Sequence, residues 1–298
     1  MALSWFFYIL IGTALWAISA VIIKFIRVKY IRHPLSYMAI TAPIGLLVFF
    51  LLFFGRLKLP GIVPLILIFA TSLAAFIGYW LYLTSLNKED VSTIVTLFGV
   101  EPLMVLILAT IFLGERLSLL DYLAFPLVIS GSLLLSIQRT KKKLSCSVGI
   151  KVALISIVFY SINSLLLKMV AGVDFITVNV LRQVGWIFLA LILLSSSGIR
   201  KNVREIFHKM DAKSLALTYI AEFMSFTGMI FAIFALKSGA VSLVTLVSSI
   251  QGFFVIILAA LVSLFIPKML KEKIDKKTLL LKICSACLIF AGIALIVL

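Results

Sequence analysis

"WAISAVIIK", residues 16–24, returns later in the chain as "YSINSLLLK", residues 160–168. The pairing sets Trp16 against Tyr160, Ser19 against Asn163 and Lys24 against Lys168. It therefore rests on polar landmarks and not on the Leu and Ile that any two apolar segments share. Farther along, the match continues at a shift of 150: Gly78 falls on Gly228, Val91-Ser92 on Val241-Ser242, "VLILA" on "VIILA", and Glu101 on Gln251. Self-similarity at this scale predicts two copies of one structural unit.

What the unit is follows from composition. Of 298 residues 63% are hydrophobic and 13% charged, with a mean hydropathy of +1.26, well outside the range of a soluble domain. Breaking the apolar runs at charges, Pro and Gly gives ten spans: 4–26, 34–54, 62–86, 91–113, 119–137, 148–170, 175–197, 213–236, 241–266 and 278–298. Each is long enough, at 1.5 Å per residue, to cross about 30 Å of hydrocarbon. The basic segment "RTKKKLSCS" (139–147) divides the spans five and five, giving units 1–140 and 141–298. An odd number of spans per unit places the two copies in opposite orientations, with a substrate site expected at their interface near the midplane. The expected fold is an all-α integral membrane protein of ten transmembrane helices in two inverted five-helix repeats.

The net charge of +16 resides in short segments between apolar runs, including "KKK" (141–143) and "PKMLKEKIDKK" (267–277). That is a juxtamembrane pattern facing lipid headgroups, with no nucleic-acid partner implied. The start "MALSWFFYIL" lacks a basic region and a cleavage site and reads as the first span. No Walker loop, GxGxxG, HExxH or GxSxG occurs, so ATP-driven and hydrolytic chemistry have no motif, no cofactor is expected, and the chain is not read as an enzyme. Cys284 and Cys287 lack companions for a metal site and read as packing residues.

The pattern "P…LGERLS…ISG", from Pro102 through Gly114-Glu115 to Gly131, together with the five-helix halves and the tandem repeat, resembles the EamA family of the drug/metabolite transporter superfamily over the whole chain. The resemblance implies a secondary transporter in a cell membrane that moves a small organic solute. It also implies that Glu115 is architectural, as a local ion pair or helix cap would be. In the second half Gly252 stands where Pro102 would recur, and only Glu272 is a candidate counterpart of Glu115. Small multidrug transporters of the same superfamily use a first-span carboxylate. Span 1 here has none, so their proton coupling does not carry over. Lys and Arg number 21 in the odd-numbered loops and 5 in the even ones, which by the positive-inside rule puts both termini outside, whereas the resemblance puts them inside.

A charged side chain at a helix centre costs about 2.5–3.5 kcal/mol on insertion scales, so such groups face partners or a water-filled cavity. Arg182 lies in the stripe Asn179, Arg182, Gln183 and Trp186, which shares one helix face. It either grips a carboxylate or phosphate of the substrate or pairs with Glu222 of the next span. Glu101 is followed by Pro102, whose missing N–H frees the carbonyl of Phe98 and allows a kink. Glu101 either holds a proton or cation during transport or donates one neutral hydrogen bond, as the matching Gln251 suggests. Trp16, Ser19, Tyr79, Tyr82, Tyr160 and Asn163 would line a central cavity if the halves face each other, although aromatic residues in membranes also serve plain packing. The sequence thus predicts a carrier for a small metabolite, an amino acid or related solute, with protons as a candidate coupling ion. The alternative is a passive channel or a translocator of lipid or hydrophobic solutes with the same fold. The oligomeric state is not set by the sequence.

Overall fold

The computed structural model describes residues 4–89, 91–137, 147–265 and 276–297, and all their regular structure is helical. In chain order the helices are α1 (Ser4–Lys29), α2 (Pro34–Thr41), α3 (Ile62–Leu86), α4 (Val91–Leu97), α5 (Glu101–Leu113), α6 (Leu119–Ile137) and α7 (Val148–Met169). They continue with α8 (Phe175–Ser195), α9 (Ser197–Lys209), α10 (Ala212–Ser238), α11 (Val241–Ser248), α12 (Gln251–Phe265) and α13 (Lys276–Val297). A 3₁₀ segment, Ala42–Phe53, prolongs α2, and a short one, Phe98–Val100, joins α4 to α5.

The surface is apolar where a water-soluble protein would be polar. Phe50, Phe53, Phe54, Ile111, Phe112, Phe188 and Leu191 stand outward, while Arg27, Arg182, Asn163 and Gln183 are buried inside the bundle. Large apolar groups in such a belt would aggregate in water and are satisfied by lipid. Among the described residues, eight helical segments are long and apolar enough to cross a membrane: 4–29, 34–53, 62–86, 93–113, 148–169, 175–195, 212–238 and 241–258. α6 and α13 carry shorter apolar stretches, Leu119–Ser132 and Cys287–Ile296. The chain is an all-α, multi-pass integral membrane protein.

Three long helix pairs organise the bundle: α1 with α10, α3 with α7, and α6 with α13. Small residues let the first pair approach closely. A Cβ on Gly12 would sit 2.8 Å from the Gly228 carbonyl oxygen, and one on Gly228 would sit 2.9 Å from that of Gly12. At the second crossing Ser156 donates to the Gly78 carbonyl at 2.8 Å. A Cβ on Gly78 would press on the Tyr160 ring, as one on Gly228 would press on Trp16. At the third, Gly131 and Gly292 make room for Ile289 and Val128. In lipid, where hydrophobic burial cannot drive helix association, close backbone approach and interhelical hydrogen bonds do this work.

Helix ends are tied by charged side chains. Lys24 Nζ donates to the carbonyls of Leu86 at 2.5 Å and Glu89 at 2.7 Å, and Lys168 Nζ donates to those of Leu236 at 2.9 Å and Gly239 at 2.7 Å. Each ammonium thus serves carbonyls at a helix C-terminus, where the macrodipole favours a cation. Glu115 does the opposite at α11: its carboxylate accepts from the Val241 N–H at 2.8 Å, the Ser242 N–H at 3.3 Å and the Ser242 hydroxyl. It is a helix cap, provided from the other half of the chain. Glu272 and the basic run 141–143 lie outside the described residues. Among the described residues, α9 has no counterpart in the expected spans; it is amphipathic and set between α8 and α10. Cys284 and Cys287 are exposed on α13, so packing does not explain them.

Candidate functional site

A cavity of about 250 Å³ occupies the middle of the bundle, walled by α1, α3, α7, α8, α10 and both interrupted helices. The interruptions come at matching places. Between α4 and α5 the chain makes a 3₁₀ turn in which the Glu101 N–H, one residue early, takes the Phe98 carbonyl. The carbonyl that Pro102 leaves unserved is therefore partnered. Between α11 and α12 the ladder shifts likewise, with Ser249 N–H to Leu246, Ile250 N–H to Val247 and Phe253 N–H to Ile250. Gly252 stands there in place of a proline, so this break does not need one. Glu101 and Gln251 each begin the second half of an interrupted helix, and both line the cavity.

An aromatic wall runs across it. Trp186 lies 5.8 Å from Tyr79, Tyr79 stacks on Tyr82 at 6.1 Å, Tyr82 meets Phe98 edge-on at 5.8 Å, and Phe98 meets Tyr160 at 5.5 Å. Edge-on and offset contacts of this kind fix ring orientation as well as bury area. Opposite, Trp16 donates from Nε1 to the Ser225 carbonyl at 3.1 Å and is held there by the α1–α10 crossing.

Of the residues expected from sequence, Trp16, Ser19, Tyr79, Tyr82, Tyr160, Asn163, Arg182, Gln183, Trp186, Glu101 and Glu222 all line this one cavity. Asn179 does not. It is buried one turn away, and its Nδ2 donates to the Phe175 carbonyl at 2.9 Å, a bond along its own helix. The stripe on α8 is right in phase and one turn too long.

The proposed pair of Arg182 with Glu222 does not form. Glu222 accepts from the Tyr79 hydroxyl at 2.5 Å, and the two charged groups make no ion pair. Arg182 is 8% exposed, and its Nε has no hydrogen-bond partner among the described residues. Its backbone carbonyl is engaged by Ser72 at 2.8 Å, which fixes α8 against α3. Asn163 Oδ1 and Ser19 Oγ are likewise buried without partners. Unpaired polar groups in a low-dielectric site are costly unless something there meets them. Glu101 accepts from the Ser164 hydroxyl at 3.4 Å.

Sequence reasoning passed over several wall residues. Ser164 and Ser225 extend helical stripes already begun by Tyr160 and Glu222, and that spacing could have found them. Gly45 carries no such signal. It lines the cavity because the Gln183 side chain occupies the space a Cβ would need. Arg27 is 1% exposed at the far end of α1, its Nη2 bonded to Asn87 Oδ1 at 2.7 Å and the Arg32 carbonyl at 3.1 Å, with its guanidinium 5.7 Å from the Tyr37 ring.

A lipid-embedded helical bundle that encloses a solute-sized, charged and aromatic chamber has the layout of a membrane transporter. Residues 3–137 match the EamA-like transporter family, which supports a membrane transporter of the drug/metabolite transporter superfamily. A crystal structure of another protein is similar over 99% of this chain and 95% of its own, at a TM-score of 0.69 and 18% identity, which shows a shared fold. No curated protein matches the sequence.

Proposed function

We propose that the chain is a ten-span secondary transporter of the cell membrane, built from inverted repeats 1–140 and 141–298, that carries an amino acid or related small metabolite by alternating access. The repeat reading is supported by paired geometry. Lys24 and Lys168 tie equivalent helix ends, Gly78 and Gly228 mark equivalent crossings, and Glu101 and Gln251 follow equivalent breaks.

The observation that carries the substrate reading is Arg182. Its guanidinium lies buried at the cavity without an acid partner, beside an aromatic wall. A carboxylate would complete it through charge-assisted hydrogen bonds, and the rings would receive an apolar side chain. Glu222, held by Tyr79, and Glu101 are then the groups for an ammonium or a coupling proton.

The experiment is counterflow in proteoliposomes loaded with unlabelled amino acids. A carrier accelerates uptake of labelled solute against the preloaded pool and saturates, whereas a channel does neither. Glu101→Gln is expected to keep exchange and lose accumulation driven by a proton gradient. Unchanged accumulation would leave Glu101 as a neutral structural donor. A hydrophobic-solute translocator is the second reading, supported by the lipid-facing 3₁₀ segment Ala42–Phe53, whose first residues also line the cavity. Saturable counterflow of polar amino acids would exclude it.

A further inference from the structure

α9 lies outside the transport reading and carries a surface of its own. Ile199 is buried, and Val203 and Ile206 are partly buried, where the helix packs on α2 and α8. Arg200, Lys201, Arg204 and Lys209 are exposed, with Lys201 and Arg204 on the side away from the packed face and Phe207 46% exposed. Four cations against the single acid Glu205 leave the 13-residue helix strongly basic.

These cations are not equally committed. Arg200 Nη1 donates to the carbonyls of Leu194 and Ser195, each at 2.8 Å, and so fastens α9 to the C-terminus of α8. Lys209 reaches Glu205 at 4.0 Å in an exposed contact of little strength. Lys201 and Arg204, three residues apart on one face, have no ion-pair partner among the described residues.

The helix connects the ends of two membrane-crossing helices, α8 and α10, so it sits at the boundary of the apolar belt. A short amphipathic helix with an inward apolar face, an exposed aromatic ring and an outward basic stripe suits the headgroup layer. Phosphate is the complementary partner for paired Lys and Arg side chains.

We propose that α9 lies among the headgroups and that Lys201 and Arg204 hold the phosphates of anionic phospholipids, steadying α8. Since α8 carries Arg182, Gln183 and Trp186, lipid charge would bear on the cavity wall through a helix it never touches inside the membrane.

The test uses the full chain in nanodiscs of phosphatidylcholine alone or with phosphatidylglycerol, with thermal unfolding as the readout. Wild type is expected to gain a few degrees from the anionic lipid, and added salt should erode the gain. Lys201→Gln with Arg204→Gln should abolish the gain while unfolding normally in phosphatidylcholine. The charge-conserving Lys201→Arg with Arg204→Lys should retain it. So should Arg56→Gln with Lys58→Gln, which neutralises exposed cations in the connection between Phe53 and Ile62. The proposal is overturned if wild type gains nothing, if the α9 double variant keeps the gain, or if the Arg56 and Lys58 control loses it equally. Transport plays no part in the readout, so this outcome and that of the counterflow assay are separable.

Discussion

Replacing Lys24 or Lys168 with Met keeps the aliphatic stem and removes the ammonium that ties two helix-terminal carbonyls. Lys24 holds Leu86 and Glu89 at 2.5 and 2.7 Å, and Lys168 holds Leu236 and Gly239 at 2.9 and 2.7 Å. A hydrogen bond to a charged group contributes about 1.5–3 kcal/mol. Both lysines are partly exposed, and water can take over some of the lost bonding. Each variant is therefore expected to lose about 1.5–3 kcal/mol in total, which for a chain of this size lowers the unfolding midpoint by roughly 3–10 °C. Because the two lysines do the same work in the two halves, the losses should be similar. The double variant should show their sum, since the sites lie at different helix ends. The assay is thermal unfolding in detergent, followed by tryptophan fluorescence. If either single variant unfolds together with wild type, equivalence of the two ties is wrong, and with it the strongest support for the repeat.

Further outcomes follow from the same geometry. Gly228→Ala would put a Cβ 2.8 Å from the Trp16 ring and 2.9 Å from the Gly12 carbonyl. Overpacking of about 1–3 kcal/mol, less the roughly 1 kcal/mol that Ala gains in a helix, should leave a net loss in thermal stability of up to about 2 kcal/mol. Gly172→Ala, with open space around it, should be silent in the same measurement. Asp174 caps α8, accepting from the Thr177 N–H at 3.1 Å, and that bond holds its carboxyl below the ordinary Asp value. Its contribution is full above the unfolded-state pKa and is lost as pH falls through the lowered folded-state value. Asp174→Ala should lose about 1 kcal/mol at neutral pH, whereas Asp174→Asn should keep most of the cap and lose the acid dependence, read from unfolding midpoints across pH 3–7.

The parts of the fold that were legible in the sequence are those with long uninterrupted periodicity. The span 62–86 is found as α3 to the residue, and 91–113 as α4, its 3₁₀ turn and α5. α9 was hidden because its cations break the apolar run, and its amphipathic face is visible only once the neighbouring spans are in place. The cavity wall was largely legible because membrane helices place polar side chains inward: Trp16, Tyr79, Tyr160, Asn163 and Arg182 stand out against Leu and Ile. What failed was pairing. Arg182 and Glu222 look like natural partners from adjacent spans, yet Tyr79 of α3 reaches Glu222 first, a contact between residues distant in sequence. Arg27 was read among the loop charges because it lies near a helix end, where snorkelling is the usual behaviour. Its burial depends on Asn87 and Tyr37, which only the packing of α1 against the ends of α2 and α3 brings near.

The most direct test of the account is a thermal-shift titration of the purified protein with the standard amino acids, in wild type and in Arg182→Ala. A solute at 100 times its dissociation constant adds about 2.7 kcal/mol when it binds only the folded protein. Such a shift is expected for at least one amino acid bearing an apolar side chain, with its loss in Arg182→Ala and no loss of the apo midpoint. A shift of equal size in Arg182→Ala, or none with any amino acid in wild type, would contradict the assignment of Arg182 as the carboxylate anchor.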